Sequence, residues 1–233
     1  MIVATWNMQG GANTLYINQV VQQTGANVLC LQECGALAEH LHGRAPIIGP
    51  NGGTLGYTGN LRLGHGFMEC VYWENHWIQG SLAVLSNIGI NGYGILPHVD
   101  LFGFVPANSR DLPWITVTNP TTGNVITVLS IHSPPVGGGV TLAHTCTWNN
   151  AQINQINNAA AGGNWACVGD FNADPTAIGF IGPPAGAIVR GNQATQQGGG
   201  ILDYAITNAV GFTYQQQTQL VGASDHYPQV FNW

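Results

Sequence analysis

The chain has 233 residues, enough for one domain with a large buried core, yet only 6% of them are charged, against roughly 25% in typical globular proteins. Four Arg and no Lys stand against ten acids, for a net charge of −6. That excludes a broad basic face for nucleic acid, so a polyanion must be gripped locally, by a metal, one or two Arg and backbone N–H groups, or be presented by a partner. Seven Trp and regular apolar runs exclude a disordered low-complexity chain. No window reaches the length of a membrane span, and because Met1 runs straight into a predicted strand no signal peptide is expected within this chain, as in the mature form of a secreted protein. The lack of Lys has two readings, the loss of ubiquitin acceptors in a protein delivered into a foreign cytosol and a general bias against charge, and the scarcity of Arg favours the second.

In chain order, Met1–Asn7 reads as a strand, followed by a Gly10-Gly11 turn. Ile17, Val20, Val21 and Thr24 fit one helix face, with Gly25 as its stop. Val28–Glu33 reads as a buried strand on which Leu29, Leu31 and Glu33 share a side, as do Cys30 and Cys34. The stretch from Ala36 to Gly66 is rich in Gly and Pro and reads as loop. Phe67–Trp77 and Leu82–Asn87 read as neighbouring strands turned at Gln79-Gly80, and another loop runs from Gly89 to Ser109. Trp114–Thr118 and Val125–Ser130 form a predicted hairpin around Pro120–Asn124, with His132 at its end. Leu142–Ala161 is the second helix. Trp165–Phe171, Leu202–Thr207 and Tyr227–Phe231 are the remaining strands. About nine strands and at least two helices, with no linker, predict a single domain over residues 1–233 in which two sheets pack face to face under outer helices. The five Cys read as mostly buried free thiols, with one or two disulfides or a bridge to a partner as the alternatives.

Four of the ten acids stand where extended segments end: Glu33 in VLCLQE, Asp170 in WACVGDFN, Asp203 in ILDYAIT and Asp225 in GASDHYP. A carboxylate that ends an apolar run needs a metal, a His or a hydrogen-bond donor beside it. With His132 in LSIHS and His226 next to Asp225, the set points to metal-assisted hydrolysis. In Gly169-Asp170-Phe171-Asn172 the glycine allows a tight departure from the strand, and Asp170 and Asn172 project together. Adjacent Asp225 and His226 do not readily pair in an extended chain, so each is expected to face a different partner.

The motifs TWNMQG (Thr5–Gly10), LQE, an Arg before a strand, IHS, GDFN, LDYA and SDHYP stand in the order seen in the DNase I-like endonuclease/exonuclease/phosphatase superfamily. The resemblance runs from about Ala4 to Phe231. TWNMQG, the Thr195–Ile206 stretch TQQGGGILDYAI and SDHYP most resemble the catalytic B subunit of the cytolethal distending toxins. The resemblance implies a four-layer α/β/β/α sandwich and phosphodiester or phosphomonoester hydrolysis with Mg²⁺, Mn²⁺ and Ca²⁺ being the alternative ions. It implies Glu33, Asn7 and Asp225 at the metal, and Arg110, Asn7, Asn172 and His226 at the phosphate. His132 is implied as general acid with Asp203 orienting it, Asp170 and Asn172 as the pair that positions water and phosphate, and His226 as base or phosphate donor. Glu69 is a candidate to orient His226, against a plain surface role. Arg110 competes with a surface pairing to Asp111, and it departs from the family pattern because Asp111 and Leu112 separate it from Pro113. His40 and His42 have no acidic or Cys partner at ligand spacing and read as loop or helix residues; His65, His76, His98 and His144 receive no role.

The expected substrate is DNA, nicked by a secreted, toxin-like catalytic subunit working with delivery subunits and acting inside a target cell. The same fold implies two alternatives, a phosphatidylinositol-trisphosphate phosphatase and a sphingomyelinase, and the shortage of basic residues suits their small headgroups. A silent partner-binding scaffold is the reading from another class. The filled set of polar positions argues against it.

Overall fold

A computed structural model describes residues 1–11, 13–64, 66–74, 80–101, 110–182, 185–219 and 224–233. Among them the strands are β1 Ile2–Asn7, β2 Val28–Gln32, β3 Leu41–Ile48, β4 Thr54–Leu63, β5 Gly66–Trp73, β6 Leu82–Ser86, β7 Gly92–Leu96, β8 Leu112–Thr118, β9 Val125–His132, β10 Asn164–Asp170, β11 Ala187–Val189, β12 Asp203–Thr207, β13 Thr213–Gln217 and β14 Gln229–Asn232. The helices are α1 Thr14–Thr24, α2 Leu142–Ala159 and α3 Pro175–Ile181. One sheet has eight strands in the order β13-β14-β1-β2-β6-β5-β4-β3; the other has six, β11-β12-β10-β9-β8-β7.

The layers follow from side-chain alternation. In β1, Ala4 and Trp6 pack outward beneath Ile17 and Val20 of α1, whereas Val3 lies in the cluster between the sheets. In β2, Leu29 and Leu31 face α1 and Val28 and Cys30 face inward. The second sheet repeats this arrangement. Ile126, Val128, Ala166, Val168 and Ala205 meet the first sheet, while Leu129, Ile131, Trp165, Cys167 and Ile206 pack with Cys146, Trp148 and Ile153 of α2. The result is the α/β/β/α sandwich expected from the sequence. The two-residue period carries each inner face on to the polar residue at its edge: Asn7 after Val3, His132 after Val128, Asp170 after Val168, and Asp203 ahead of Ala205.

Local signals account for the helices. The Asn13 side chain accepts the amides of Leu15 and Tyr16 at the start of α1, and Gly25, at φ 67°, closes it with its N–H on the Val21 carbonyl. Thr141 and His144 form a reciprocal capping box at the start of α2. Behind the site a buried amide joins the sheets. Gln32 Nε2 donates to Ser130 Oγ at 2.9 Å, its Oε1 accepts from Thr5 Oγ1 at 3.1 Å, and Ser130 Oγ donates to the Leu31 carbonyl at 3.0 Å.

Several sequence expectations need correction. The stretch read as loop between Ala36 and Gly66 contains the β3–β4 hairpin, and the stretch from Gly89 contains β7. β11 and β13 were also unread, so the described residues hold fourteen strands where about nine were expected. β3, β7, β11 and β13 are outermost or end strands carrying exposed and half-buried side chains, with little apolar alternation to reveal them. The Gln79-Gly80 turn and the ends of two other predicted segments, Trp77 and Ser109, involve residues outside those described, as do His65 and His76. Cys30 lies between the sheets and Cys34 on the opposite side, in the α1 cluster. All five Cys are free and buried.

Candidate active site

Glu33 does not continue the face of Leu29 and Leu31. Its φ of 50° turns the chain off the strand and brings its Oε1 within 3.5 Å of His132 Nε2. Gly169 differs from expectation too. It lies inside β10 rather than at a turn, and a Cβ there would sit 2.1 Å from the Ile131 carbonyl oxygen and 3.0 Å from Gln32 Nε2. Only a glycine admits this close approach of β9 and β10.

Asp170 is the hub. Its Oδ2 accepts from Asn7 Nδ2 at 3.0 Å and lies 3.5 Å from His132 Nε2 and 3.9 Å from His226 Nε2. Its Oδ1 accepts the Asn172 amide at 2.8 Å, in a turn that holds Asn172 at φ 48°. The Asn172 side chain donates to the Ser133 carbonyl at 2.8 Å. Burial pushes the Asp170 pKa up, the neighbouring Asp203 charge adds to this, and His226 with the Asn172 and Asn7 hydrogen bonds opposes it.

The sequence paired Asp203 with His132; the structure pairs it with His226. Asp203 Oδ2 is 2.8 Å from His226 Nδ1. The registers explain the difference. His132, Asp170 and Asp203 stand side by side across β9, β10 and β12, so Asp170 separates the other two, while His226 comes from the segment before β14. Burial alone would lower the His226 pKa. The Asp203 hydrogen bond and charge, helped by Asp170 and Asp225, outweigh it and raise the group to about 9. His132 behaves oppositely: burial first, then the charges of Arg110 and His226, hold it well below its ordinary value. Its Nδ1 has no hydrogen-bond partner among the described residues, whereas Nε2 faces Glu33 and Asp170. A neutral imidazole in that setting is best placed with its proton on Nε2.

Arg110 joins the site, but its Nη1 donates to the His132 and Ser133 carbonyls at 3.3 Å each, and its Nε has no partner among the described residues. The surface alternative fails, because Asp111 pairs with His98 at 2.7 Å. Glu69 does not orient His226; its Oε2 accepts the Ile90 amide at 2.8 Å. Asp225 Oδ1 approaches His226 Nε2 to 3.6 Å, closer than the sequence suggested but beyond a hydrogen bond. His42 is a strand residue, in β3, and packs edge-on against Phe67.

The donors suit a hard divalent cation. Glu33, Asp170 and Asp225 offer carboxylate oxygens, Asn7 Oδ1 beside them accepts the Gln9 amide at 3.0 Å, and Asp225 Oδ1 is buried without a partner among the described residues. Atoms of Asp170, Asp203 and His226 also cluster within 4.8 Å. That trio is better described as a proton-handling pair beside a carboxylate, because Asp203 Oδ2 already accepts from Thr195 Oγ1 at 2.8 Å and lies at hydrogen-bond distance from His226 Nδ1. Thr195, Gln9 and Gln196 were missed by sequence reasoning. Gln9 Oε1 accepts the Asp225 amide at 3.1 Å, and Gln196 Nε2 donates to Asp225 Oδ2 at 3.3 Å. Neutral residues in Gly-rich turns carry no spacing signal; the TWNMQG and Thr195–Ile206 resemblances marked the segments that hold them.

The Endonuclease/Exonuclease/phosphatase family pattern matches residues 4–226. No curated protein matches the chain. Among solved structures, the cytolethal distending toxin of Haemophilus ducreyi aligns with a TM-score of 0.74 at 21% identity, over 99% of this chain and 96% of that one. The cytolethal distending toxin of Actinobacillus actinomycetemcomitans gives 0.73 at 22%, over 99% and 97%. Sphingomyelinase C of Streptomyces griseocarneus gives 0.62 at 13%, over 99% and 98%. At these identities the likenesses establish a shared fold.

Proposed function

Because the chain belongs to the Endonuclease/Exonuclease/phosphatase family, we propose that it is a Mg²⁺-dependent phosphodiesterase that nicks DNA. The observation that carries this reading is the pair of imidazoles directing Nε2 toward Asp170, one of them held by Asp203, beside buried carboxylate oxygens. Glu33, Asn7 and Asp225 would hold the cation, which when bound supplies positive charge to the phosphoryl oxygens. Mn²⁺ or Ca²⁺ would suit the same oxygen donors.

The chain's own groups divide the remaining work. Asp170, oriented by Asn7 and the Asn172 amide, accepts a proton from the attacking water. His226, kept protonated by Asp203, delivers a proton from Nε2 to the leaving oxygen, which without it departs as a poor alkoxide. His132 presents Nε2–H to a non-bridging oxygen. Arg110 supplies fixed positive charge, and the second N–H of the Asn172 amide is free of the Ser133 carbonyl bond for the phosphate. The roles of the two histidines are thus exchanged relative to the sequence expectation, in which His132 was the acid.

The likeness to cytolethal distending toxins motivates the finer proposal of a secreted catalytic subunit that works with delivery subunits inside a target cell. A phosphoinositide or sphingomyelin headgroup is the second reading, favoured by the net charge of −6. The test compares supercoiled plasmid, a 3-phosphorylated inositol lipid and sphingomyelin, each with Mg²⁺ and with chelator, for the wild type, His226→Ala and Asp225→Ala. Mg²⁺-dependent nicking lost in both variants is expected. Activity that survives chelator, or both substitutions, refutes the mechanism. Lipid turnover without nicking establishes the second reading, and no turnover of any substrate leaves a scaffold.

A further inference from the structure

The Asp203–His226 pair is anchored by a third residue. Thr195 is buried, with 1% of its surface exposed. Its hydroxyl accepts the Leu202 amide at 2.8 Å and the Asp203 amide at 3.0 Å. The single hydroxyl proton goes to Asp203 Oδ2 at 2.8 Å, since the other acceptor in reach, the Gly200 carbonyl, stands at 3.5 Å. Asp203 Oδ2 therefore receives Thr195 and His226 together, while Oδ1 has no partner among the described residues.

The backbone of the same residue holds the other half of the pair. The Thr195 carbonyl accepts the Tyr227 amide at 2.8 Å, Gln196 bridges to His226, and the Gln197 amide donates to the Asp225 carbonyl at 2.8 Å. The loop is closed on itself by Thr195 N–H donating to the Gly200 carbonyl at 2.8 Å. One residue thus fixes the entry of β12, the rotation of its first carboxylate and the segment that carries the imidazole.

We propose that Thr195 is a positioning residue for phosphoester hydrolysis, its hydroxyl locking the Asp203 carboxylate so that Oδ2 faces His226 Nδ1. The proposal rests on the phosphodiesterase reading above. Without the hydroxyl two backbone amides lose their acceptor and the carboxylate is free to rotate, so the imidazole loses the partner that fixes its tautomer and direction. A displacement of about 1 Å at a reacting group costs on the order of a hundredfold in rate.

The test uses Thr195→Val, which keeps the shape and removes the hydroxyl, and Thr195→Ser, which keeps the hydroxyl. Turnover of a short fluorescent DNA duplex is measured at saturating Mg²⁺, and the His226 Nδ1–H proton resonance is recorded in chelator. The Val variant is expected to lose about a hundredfold in kcat with KM little changed, and its Nδ1–H resonance to shift upfield or broaden. The Ser variant is expected to keep both. A folded Val variant with wild-type kcat and an unshifted resonance overturns the proposal, as does a Ser variant impaired as far as Val. Should Thr195→Val not fold, the smaller Thr195→Ala is read in the same way. If the wild type hydrolyses none of the substrates, the functional reading fails, while the resonance still decides whether Thr195 holds the pair.

Discussion

Replacing Asp203 by Asn tests the central pairing with almost no change of shape. Asp203 Oδ2 stands 2.8 Å from His226 Nδ1, and its hydrogen bond and charge are the leading reasons the imidazole titrates at about 9 rather than 6.5. Removing the charge leaves burial as the largest influence, and burial lowers the value. A return to the ordinary 6.5 would take the protonated fraction near pH 7.5 from roughly 97% to about 10%, a loss of about tenfold before any change of tautomer. A wrong tautomer multiplies the loss, by as much as about 10⁴ where a carboxylate behind a catalytic His has been replaced by its amide. Plasmid nicking by Asp203→Asn is therefore expected at least about tenfold below wild type near neutrality, with its loss of rate on raising the pH moved to lower pH. The same substitution made on His226→Ala should cost little further, and made on His132→Ala should cost its full amount. The reverse pattern would restore the Asp203–His132 pairing, and a rate within about threefold of wild type would refute the proton-holding role.

Two further outcomes concern stability. His226 has its folded pKa raised, so its contribution is fully present below the unfolded value of 6.5 and is lost as the pH rises through about 9. Asp170, also raised, weakens the folded state in the same direction as it ionises. In chelator the melting temperature should fall by about 5–10 °C between pH 6 and pH 9.5, mostly above neutrality, and Asp203→Asn should flatten that fall; thermal unfolding followed by circular dichroism checks both. Gly169→Ala places a methyl 2.1 Å from the Ile131 carbonyl oxygen and should destabilise by about 2–4 kcal/mol in urea titration, the scale of overpacking with backbone strain.

The central layers were legible in the sequence because their chemistry repeats every two residues. Val3, Val28, Val128 and Val168 each lead along an inner face to a polar residue at the same edge, which is why the sequence alone gathers Asn7, His132 and Asp170. Outer strands carried no such signal: β3 is exposed along most of its length, and its existence depends on backbone pairing with β4. Within the site, alternation misled where the backbone leaves the regular regions. Glu33 at φ 50° escapes the face assigned to it, so its approach to His132 depends on a conformation that residue type alone does not reveal. The Asp203 partner was misread because motif order says which residues gather and not which strand lies between them. Register supplies that, and it puts Asp170 between Asp203 and His132.

The shortage of cations would also limit how a DNA substrate is held. Arg44 donates to the Ala38 carbonyl and stacks 4.7 Å from the Tyr57 ring centroid, and Arg190 donates to the neighbouring Gly191 carbonyl. Arg62 lies on β4, several strands from the site. On the proposed reading, Arg110 and His226 would be the cations available to the phosphate, with Gln9 and Gln196 adding neutral amides at Asp225. Each phosphate neutralised on duplex DNA contributes about −0.9 to the slope of log affinity against log salt. Two contacts predict a slope near −2, so raising monovalent salt from about 50 to 200 mM should weaken duplex binding by roughly tenfold, where a protein with six or more phosphate contacts loses about a thousandfold. The measurement is KM for a short duplex at fixed, saturating Mg²⁺, with kcat followed in parallel. A slope steeper than about −5 would mean that a basic surface outside these residues carries the DNA, and the argument from charge would fail. A shallow slope would leave shape, amide contacts and the bound cation to select the substrate, which is the condition under which a compact phosphoester headgroup competes with duplex DNA on equal terms.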